Sequence, residues 1–425
     1  MIQGIKSRLI VLLYWEKNSW YALGPLAASL QKNHIQYEII KGDPVVHIQN
    51  RLEDGNLIIY GESSRSMTLG GLKKRITLID RQILSKKVFT IVGGPHASGD
   101  PQKILDLGVD FVVIGEGEKI FPNLVKRIVK SINNKQGKEI FGNLPGVAFL
   151  DRENRLVKVS PEDPINLDEY CPYSDNEEFP LHPPIELMRG CAFRCRFCQV
   201  GYMYGNPRFR SIKTVIKIVE HYIEFFKPIK KQVDIRFIAP NSLGYMEKKR
   251  GHPNYRALSE LINNLKVLDV RIFFGTFPSE VRPEYITEDI VSLFDNLSNQ
   301  QISVGFQSGS NNVLLDMRRG HTVEDGLKAH DLLTSHGLTP LFDFLLGTPS
   351  ETVDDQWTTL NLIRELGTKA SVRLHYFMPL PGTPWAESTP VPLGRNIQTE
   401  IGRLAKAEII TGEFAKQIDF TFKGI

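Results

Sequence analysis

Apolar residues fall into short, nearly unbroken runs over the first third of the chain. "RLIVLLYW" (8–15) reads as a strand buried on both faces. "ALGPLAASLQKNH" (22–34) has helical spacing, with a proline near its start. "YEIIKG" (37–42) and "NLIIYGE" (56–62) read as strands, and "SMTLGGLKKRITLIDRQIL" (66–84) as a helix. "VFTIVGGPHA" (88–97) and "FVVIGEG" (111–117) close the series. Strands alternating with helices, with glycine at the strand ends, predict a doubly wound, Rossmann-like parallel sheet. Such sheets bind ligands at the carboxyl ends of their strands.

The pattern then changes. Residues 131–183 are rich in Asn, Pro and charge and read as a connector. It holds one expected hairpin, "VAFL" and "LVKV" flanking "DREN". A second alternation starts at Pro184. Its strands are "IELMRG" (185–190), "VDIRFIAP" (233–240), "DVRIFFGTFP" (269–278), "ISVGFQSG" (302–309), "TPLFDFLLGTP" (339–349) and "SVRLHYFMPLPG" (371–382). Helices are expected over 211–226, 254–266, 286–297, 323–336 and 352–366. Six βα repeats are too few for a closed eightfold barrel, so a partial (β/α)6 barrel of the TIM type is predicted. Its active site belongs on the loops after the strands. The tail reads as one amphipathic helix and a short strand. The expected divisions are 1–130, 131–183, 184–390 and 391–425.

A chain of 425 residues exceeds what one core usually supports, in line with two domains. No apolar run is long enough to span a bilayer. The N-terminus reads as a first strand rather than a signal peptide, so a cytoplasmic protein is expected. A net charge of +4 does not by itself imply nucleic-acid binding. The four cysteines are Cys171, Cys191, Cys195 and Cys198. They exclude a disulfide scaffold, and three of them crowd into eight residues.

That segment is Cys191-Ala-Phe-Arg-Cys195-Arg-Phe-Cys198, on the loop after the first strand of the second alternation. Thiolates are soft ligands that suit iron–sulfur clusters or zinc. Three thiolates on one loop can wrap a small cluster and leave one iron open. Zinc completed by a distant histidine is the alternative, although neither paired C-x2-C nor H-x3–5-H occurs. Cys171 is a spare ligand, a catalytic thiol or, most often for a lone cysteine, inert. His375 reads as a substrate contact or proton relay, or more commonly as a satisfied barrel histidine.

With Phe197 before its last cysteine, the motif resembles the radical SAM superfamily. The resemblance implies that Cys191, Cys195 and Cys198 hold a 4Fe-4S cluster whose open iron is chelated by S-adenosylmethionine. "GFQSGS…LLDMRRGHT" (305–322) resembles the fourth-strand segment of its methylthiotransferase and coproporphyrinogen-oxidase types. That places Gln307 and Ser308 at the nucleoside, with Arg319 and His321 on the following loop. "DFLLGTPSET" (343–352) resembles the fifth-strand motif, and Ser279 and Arg282 in "GTFPSEVRP" (275–283) resemble nucleotide- or carboxylate-contacting residues. "APNSLGYM" (239–246) stands where many members carry Gly-Gly-Glu and lacks that triplet. Each segment alone is ordinary turn chemistry; their order at successive strand ends carries the resemblance.

"ALGPLAASLQKNHIQYEII" (22–40), "GGPHAS" (93–98) and "GVDFVVIGEGE" (108–118) resemble the cobalamin-binding domain fused to one radical SAM class. The resemblance places Ser64, Gly93 and Gly94 at cobalamin, where glycine lets backbone approach a bulky ligand. The cobalt-ligating D-x-H-x-x-G is replaced by "YWEKNSWYALGP" (14–25), and known members without it bind cobalamin with no histidine ligand. The alternative is a scaffold that no longer binds. Tyr14, Trp15 and Trp20 are candidates to pack on the corrin, although core packing is more usual for such aromatics. His96 reads as a turn or capping residue.

The resemblance implies a cobalamin-dependent methyltransferase acting on a small molecule, lipid or peptide. Its electron donor would be a flavodoxin or ferredoxin. A methylthiotransferase-like modifier of RNA or protein is the second reading, although residues 1–170 contain no cysteine for a second cluster. A non-catalytic iron–sulfur protein is the third.

Overall fold

The computed structural model describes residues 9–17, 19–176, 179–367 and 369–423. The chain forms two compact units that divide between Pro183 and Pro184.

The first unit runs β1 (Leu9–Tyr14), α1 (Trp20–Lys32), β2 (Tyr37–Ile40), α2 (Pro44–Glu53), β3 (Leu57–Ser63), α3 (Leu69–Gln82) and β4 (Val88–Gly93). It continues with α4 (Pro95–Gly99), α5 (Pro101–Leu105), β5 (Phe111–Val113), α6 (Gly117–Asn133), β6 (Val147–Leu150) and β7 (Leu156–Lys158). These strands form one seven-stranded sheet in the order β2-β1-β3-β4-β5-β6-β7. The first five are parallel, as in doubly wound folds. Alternate residues supply two cores. Ile10, Leu12, Ile58, Tyr60 and Val112 pack on the face covered by α2 and α3. Val11, Leu13, Ile59, Ile91 and Val113 pack on the face covered by α1 and α6. Both faces are buried, so β1 has to be apolar at every position. The expected hairpin forms as β6 and β7, and β6 pairs antiparallel with β5. The stretch read as a connector therefore continues the first unit's sheet.

The second unit begins with a divided strand, β8 (Ile185–Glu186) and β9 (Met188–Arg189), then α7 (Gln199–Tyr204) and β10 (Arg208–Phe209). There follow α8 (Ile212–Phe226), β11 (Val233–Ile238), α9 (Tyr255–Lys266), β12 (Val270–Phe273), α10 (Glu288–Val291), β13 (Gln301–Gln307) and α11 (Asn311–Asp316). Then come α12 (Val323–Ser335), β14 (Thr339–Leu346), α13 (Val353–Leu366), β15 (Ser371–Tyr376), α14 (Arg395–Lys406), β16 (Ile410–Thr411) and α15 (Phe414–Lys423). Parallel pairing runs β8-β11-β12 and β13-β14-β15-β16. Bridges from Ala239 to Ser279 and from Val281 to Val304 join the two sets into one open barrel. Phe342 stacks on His330 of α12, so that face of β14 looks outward to the helices. Asp343, paired in register with Arg373, looks into the lumen. The tail exceeds the expected helix and strand: β16 extends the barrel sheet and α15 follows it. Among the described residues no helix is long and apolar enough to cross a membrane.

Candidate functional site

The cysteine loop leaves β9 through Gly190, whose φ of 83° requires glycine. It is tied down along its length. Cys191 N donates to Gly205 O at 3.0 Å, Arg196 N to Met317 O at 3.0 Å, and Cys198 N to Cys195 O at 3.2 Å. The Arg194 guanidinium donates to the Cys191 carbonyl, and Arg196 pairs with Asp316. All three thiols are free. Burial raises the Cys191 pKa and pushes that of Cys198 up to about 12, and the neighbouring Cys195 adds to both shifts while Arg319 opposes them. Thiols held like Cys191 and Cys198 ionise readily only against a cationic centre, and three cysteines on one loop are the donor set of an iron–sulfur cluster.

Arg319 reaches this loop from beyond α11. Its Nη1 donates to Cys195 Sγ at 3.4 Å and its Nη2 to Gly305 O at 2.8 Å. The Arg282 guanidinium donates to the Arg319 carbonyl and, at 2.6 Å, to Glu284. It also lies 3.5 Å from the centre of the Phe193 ring. His321 is held through Nε2 by Phe306 O at 2.9 Å. Burial, then the charges of Arg319 and Arg282, depress its pKa to about 2, so the imidazole is neutral.

The structure thus gathers Cys195, Arg282 and Arg319, with Gln307 beside them. A side chain on Gly305 would lie 2.9 Å from Gln307 Nε2 and 3.1 Å from Arg319 Nη2. Gln307 has a φ of 81° at a slip in the β13–β14 register. The buried Ser279 hydroxyl has no partner among the described residues. Two expected residues have protein partners of their own. Ser308 is committed to α13, with its hydroxyl 3.3 Å from Thr359 Oγ1. Phe197 packs among Val313, Met317, Leu345, Phe377 and Trp385. In the "APNSLGYM" loop, Asn241 accepts from Arg282 N at 3.2 Å and Ser242 N donates to Glu280 O at 2.9 Å.

In the first unit, Gly93 ends β4, Gly94 follows it, and the buried Ser64 hydroxyl lacks a partner among the described residues. Gly94 has a φ of 94°, and a Cβ there would lie 2.7 Å from both Ser63 Oγ and Ser64 O. Its small size is therefore required by the β3 loop itself. Gly93 has only Val113 near, at 3.6 Å. An orphaned hydroxyl beside an open glycine fits a polar ligand tail at this strand end. His96 Nδ1 lies 2.9 Å from Ser66 Oγ. The three aromatics are occupied within the unit: Tyr14 under Arg75 at 4.3 Å, Trp15 under Lys41 at 4.2 Å, and Trp20 against Tyr21 at 5.1 Å. Cys171 is exposed.

Sequence reasoning missed a set of lumen residues: Glu280, Asp343 and Arg373. For Asp343 the signal was present, as a single charged residue in an otherwise apolar strand run.

The radical SAM superfamily model matches residues 185–363, and the B12 binding domain model matches residues 26–125. The chain thus carries a radical SAM domain and a B12-binding domain. The cofactors of these two domains are a 4Fe-4S cluster, S-adenosylmethionine and cobalamin. The chain is 23% identical over 363 residues to an uncharacterized protein of Methanopyrus kandleri, covering 73% of this chain and 64% of the relative. It is 27% identical over 295 residues to a putative methylthiotransferase of Methanocaldococcus jannaschii, covering 67% and 59%. It thus spans about six-tenths of the length of these curated relatives. The fold is similar to that of the cobalamin-dependent S-adenosylmethionine radical enzyme OxsB, with a TM-score of 0.67 at 16% identity over 95% of this chain and 56% of that one. It is also similar to the radical S-adenosylmethionine methyltransferase TsrM from Kitasatospora setae, with a TM-score of 0.68 at 17% identity over 89% and 75%.

Proposed function

We propose that this radical SAM protein transfers a methyl group to an unactivated carbon. The observation that carries the reading is the grouping of Cys191, Cys195 and Cys198 with Arg319 at the mouth of a polar lumen, on a chain that also carries a B12-binding domain. The three thiolates would hold the cluster. Ser279, Arg282, Gln307 and Arg319 would orient S-adenosylmethionine, Arg282 through its charge and Ser279 through its free hydroxyl. Ser64 and Gly93 would receive part of the cobalamin. When bound, the cluster with S-adenosylmethionine supplies a 5′-deoxyadenosyl radical and the corrinoid supplies the methyl group. The chain's own task is to fix the reactants and exclude water. A flavodoxin or ferredoxin would deliver the electron.

The methylthiotransferase names of several curated relatives favour a second reading, modification by sulfur insertion. The absence of cysteine from residues 1–170 weighs against the second cluster that such chemistry uses.

The test is anaerobic reconstitution of the full chain with iron, sulfide and hydroxocobalamin, followed by metal quantification and reduction with dithionite in the presence of S-adenosylmethionine. One cluster and one cobalt per chain, with cleavage of S-adenosylmethionine, are expected. A chain that retains no cobalt, or that cleaves S-adenosylmethionine after Cys191, Cys195 and Cys198 are all replaced by Ala, would overturn the reading.

A further inference from the structure

Barrel lumens are usually packed with branched apolar side chains. This one is not. Facing the helices, Val281, Val304, Phe342, Phe344, Leu374 and Tyr376 are apolar and buried. Facing the lumen on the same strands stand Glu280, Ser303, Asp343, Arg373 and His375. Burying such groups is costly unless they are paired or serve a ligand.

Most of them are paired. Arg373 grips Asp343 with two bonds, Nε to Oδ1 at 2.7 Å and Nη2 to Oδ2 at 2.6 Å. His375 Nε2 lies 3.2 Å from Asp343 Oδ1, and Gln417 Nε2 lies 3.2 Å from its Nδ1. The imidazole is thus satisfied on both sides, and the charges of Arg373 and Asp343 cancel.

Glu280 is the exception. Among the described residues its one ion pair is with Arg373 Nη2 at 3.5 Å, beyond a good hydrogen bond, and that guanidinium is already committed to Asp343. Its side chain keeps 38% of its surface open. A carboxylate weakly paired and still partly open keeps acceptor capacity for a cationic ligand. The charged groups that face it are Asp343, Arg373, His375 and Arg319. Burial, then the Asp343 charge, raise its pKa. Two residues on along the same face is Arg282, about 7 Å away by strand geometry. Between the two levels Gly305 contributes no side chain. The exposed Phe277 ring lies 5.3 Å from the Arg373 guanidinium and adds an aromatic face near the acid.

We infer that Glu280 is the substrate-anchoring residue of this barrel and that the substrate carries a protonated amine. The inference rests on the radical SAM reading and adds the substrate class. An anionic substrate is disfavoured because the lumen's positive charge at this level is already matched by Asp343.

Benzylammonium serves as the probe, titrated calorimetrically into the reconstituted full chain at about pH 8, where amines of this kind are still largely charged. Wild type is expected to bind benzylammonium in preference to phenylacetate. E280Q, which keeps the shape and loses the charge, should bind it roughly tenfold or more weakly. Wild-type affinity should fall as the pH drops into the range where Glu280 takes up a proton. Cluster content and S-adenosylmethionine affinity of E280Q, measured on the same samples, report that the barrel has folded. Equal binding by wild type and folded E280Q would make Glu280 a structural partner of Arg373 and overturn the inference. So would preference for phenylacetate, or no wild-type binding of the ammonium. None of these outcomes touches the radical SAM reading, which stands or falls on cluster loading and S-adenosylmethionine cleavage by the wild type.

Discussion

The guanidinium of Arg319 donates to the sulfur of Cys195 at 3.4 Å while its other arm holds the carbonyl of Gly305 at 2.8 Å. One side chain therefore fixes the cysteine loop to the fourth-strand segment, and a cationic donor sits on a sulfur that carries negative charge when it is a ligand.

Arg319→Ala should leave the three cysteines in place but loosen their hold on iron. Groups that orient a metal ligand typically tune metal affinity by about 10–100-fold. Reconstituted R319A should lose iron to a chelator roughly tenfold faster than wild type. An unchanged rate would remove Arg319 from the cluster's support.

Gly190→Ala should damage the same loop by backbone strain alone. A Cβ there would lie 2.4 Å from Asn206 O, at a φ of 83° that disfavours any L side chain. A cost of about 2 kcal/mol or more is expected. Thermal melting and iron content should both fall, since the strained residue precedes Cys191.

His321 makes the protein acid-sensitive. Its folded pKa of about 2 lies below its ordinary value of 6.5. The unfolded chain therefore binds the extra proton, and stability falls as pH drops below 6.5, by about 1.4 kcal/mol per pH unit. His321→Gln, which can still donate to Phe306 O, should lose roughly 2 kcal/mol less than wild type between pH 7 and pH 5 in denaturant titrations. Parallel curves would contradict the assignment.

Glu351 acts in the opposite sense. Its Oε2 accepts from Gly347 N, and Gln356 lies beside its buried carboxyl. Burial pushes its pKa up to about 7 from 4.5. The folded chain thus binds the extra proton, and wild type loses stability as pH rises between those values. Glu351→Gln keeps an acceptor for Gly347 and carries no charge. It should match wild type near pH 4.5 and be more stable at pH 8, by an amount approaching about 3 kcal/mol. Melting temperatures at the two pH values check this.

The parts legible in the sequence are those whose information is local. β1 is readable because a strand buried on both faces must be apolar throughout, and the cysteine loop because its three ligands lie within eight residues. Two helices of the first unit escaped although their signals were there. Asp43 caps α2 by accepting from Val45 N at 2.9 Å, with Pro44 at the first helical position. Phe121, Leu124, Val125 and Ile128 form the buried stripe of α6. Ser279 and Ser308 could not be told apart at the level of sequence. The slip after Val304 and the left-handed Gln307 decide which way the end of β13 points, and Ser308 turns to Thr359. The ending of "DVRIFFGTFP" also differs: β12 stops at Phe273, and Ser279 and Val281 rejoin the barrel as bridges. The lumen acids and bases were visible as letters, but their pairing is a property of register between distant strands.

Both outer strands of the barrel sheet, β8 and β16, are two residues long. A longer free edge would be a template onto which a neighbouring molecule could add its own strand. With so little ladder on offer, concentrated solutions of this protein should resist strand-mediated aggregation through the second unit, a useful property in a chain that must be handled at high concentration for anaerobic spectroscopy.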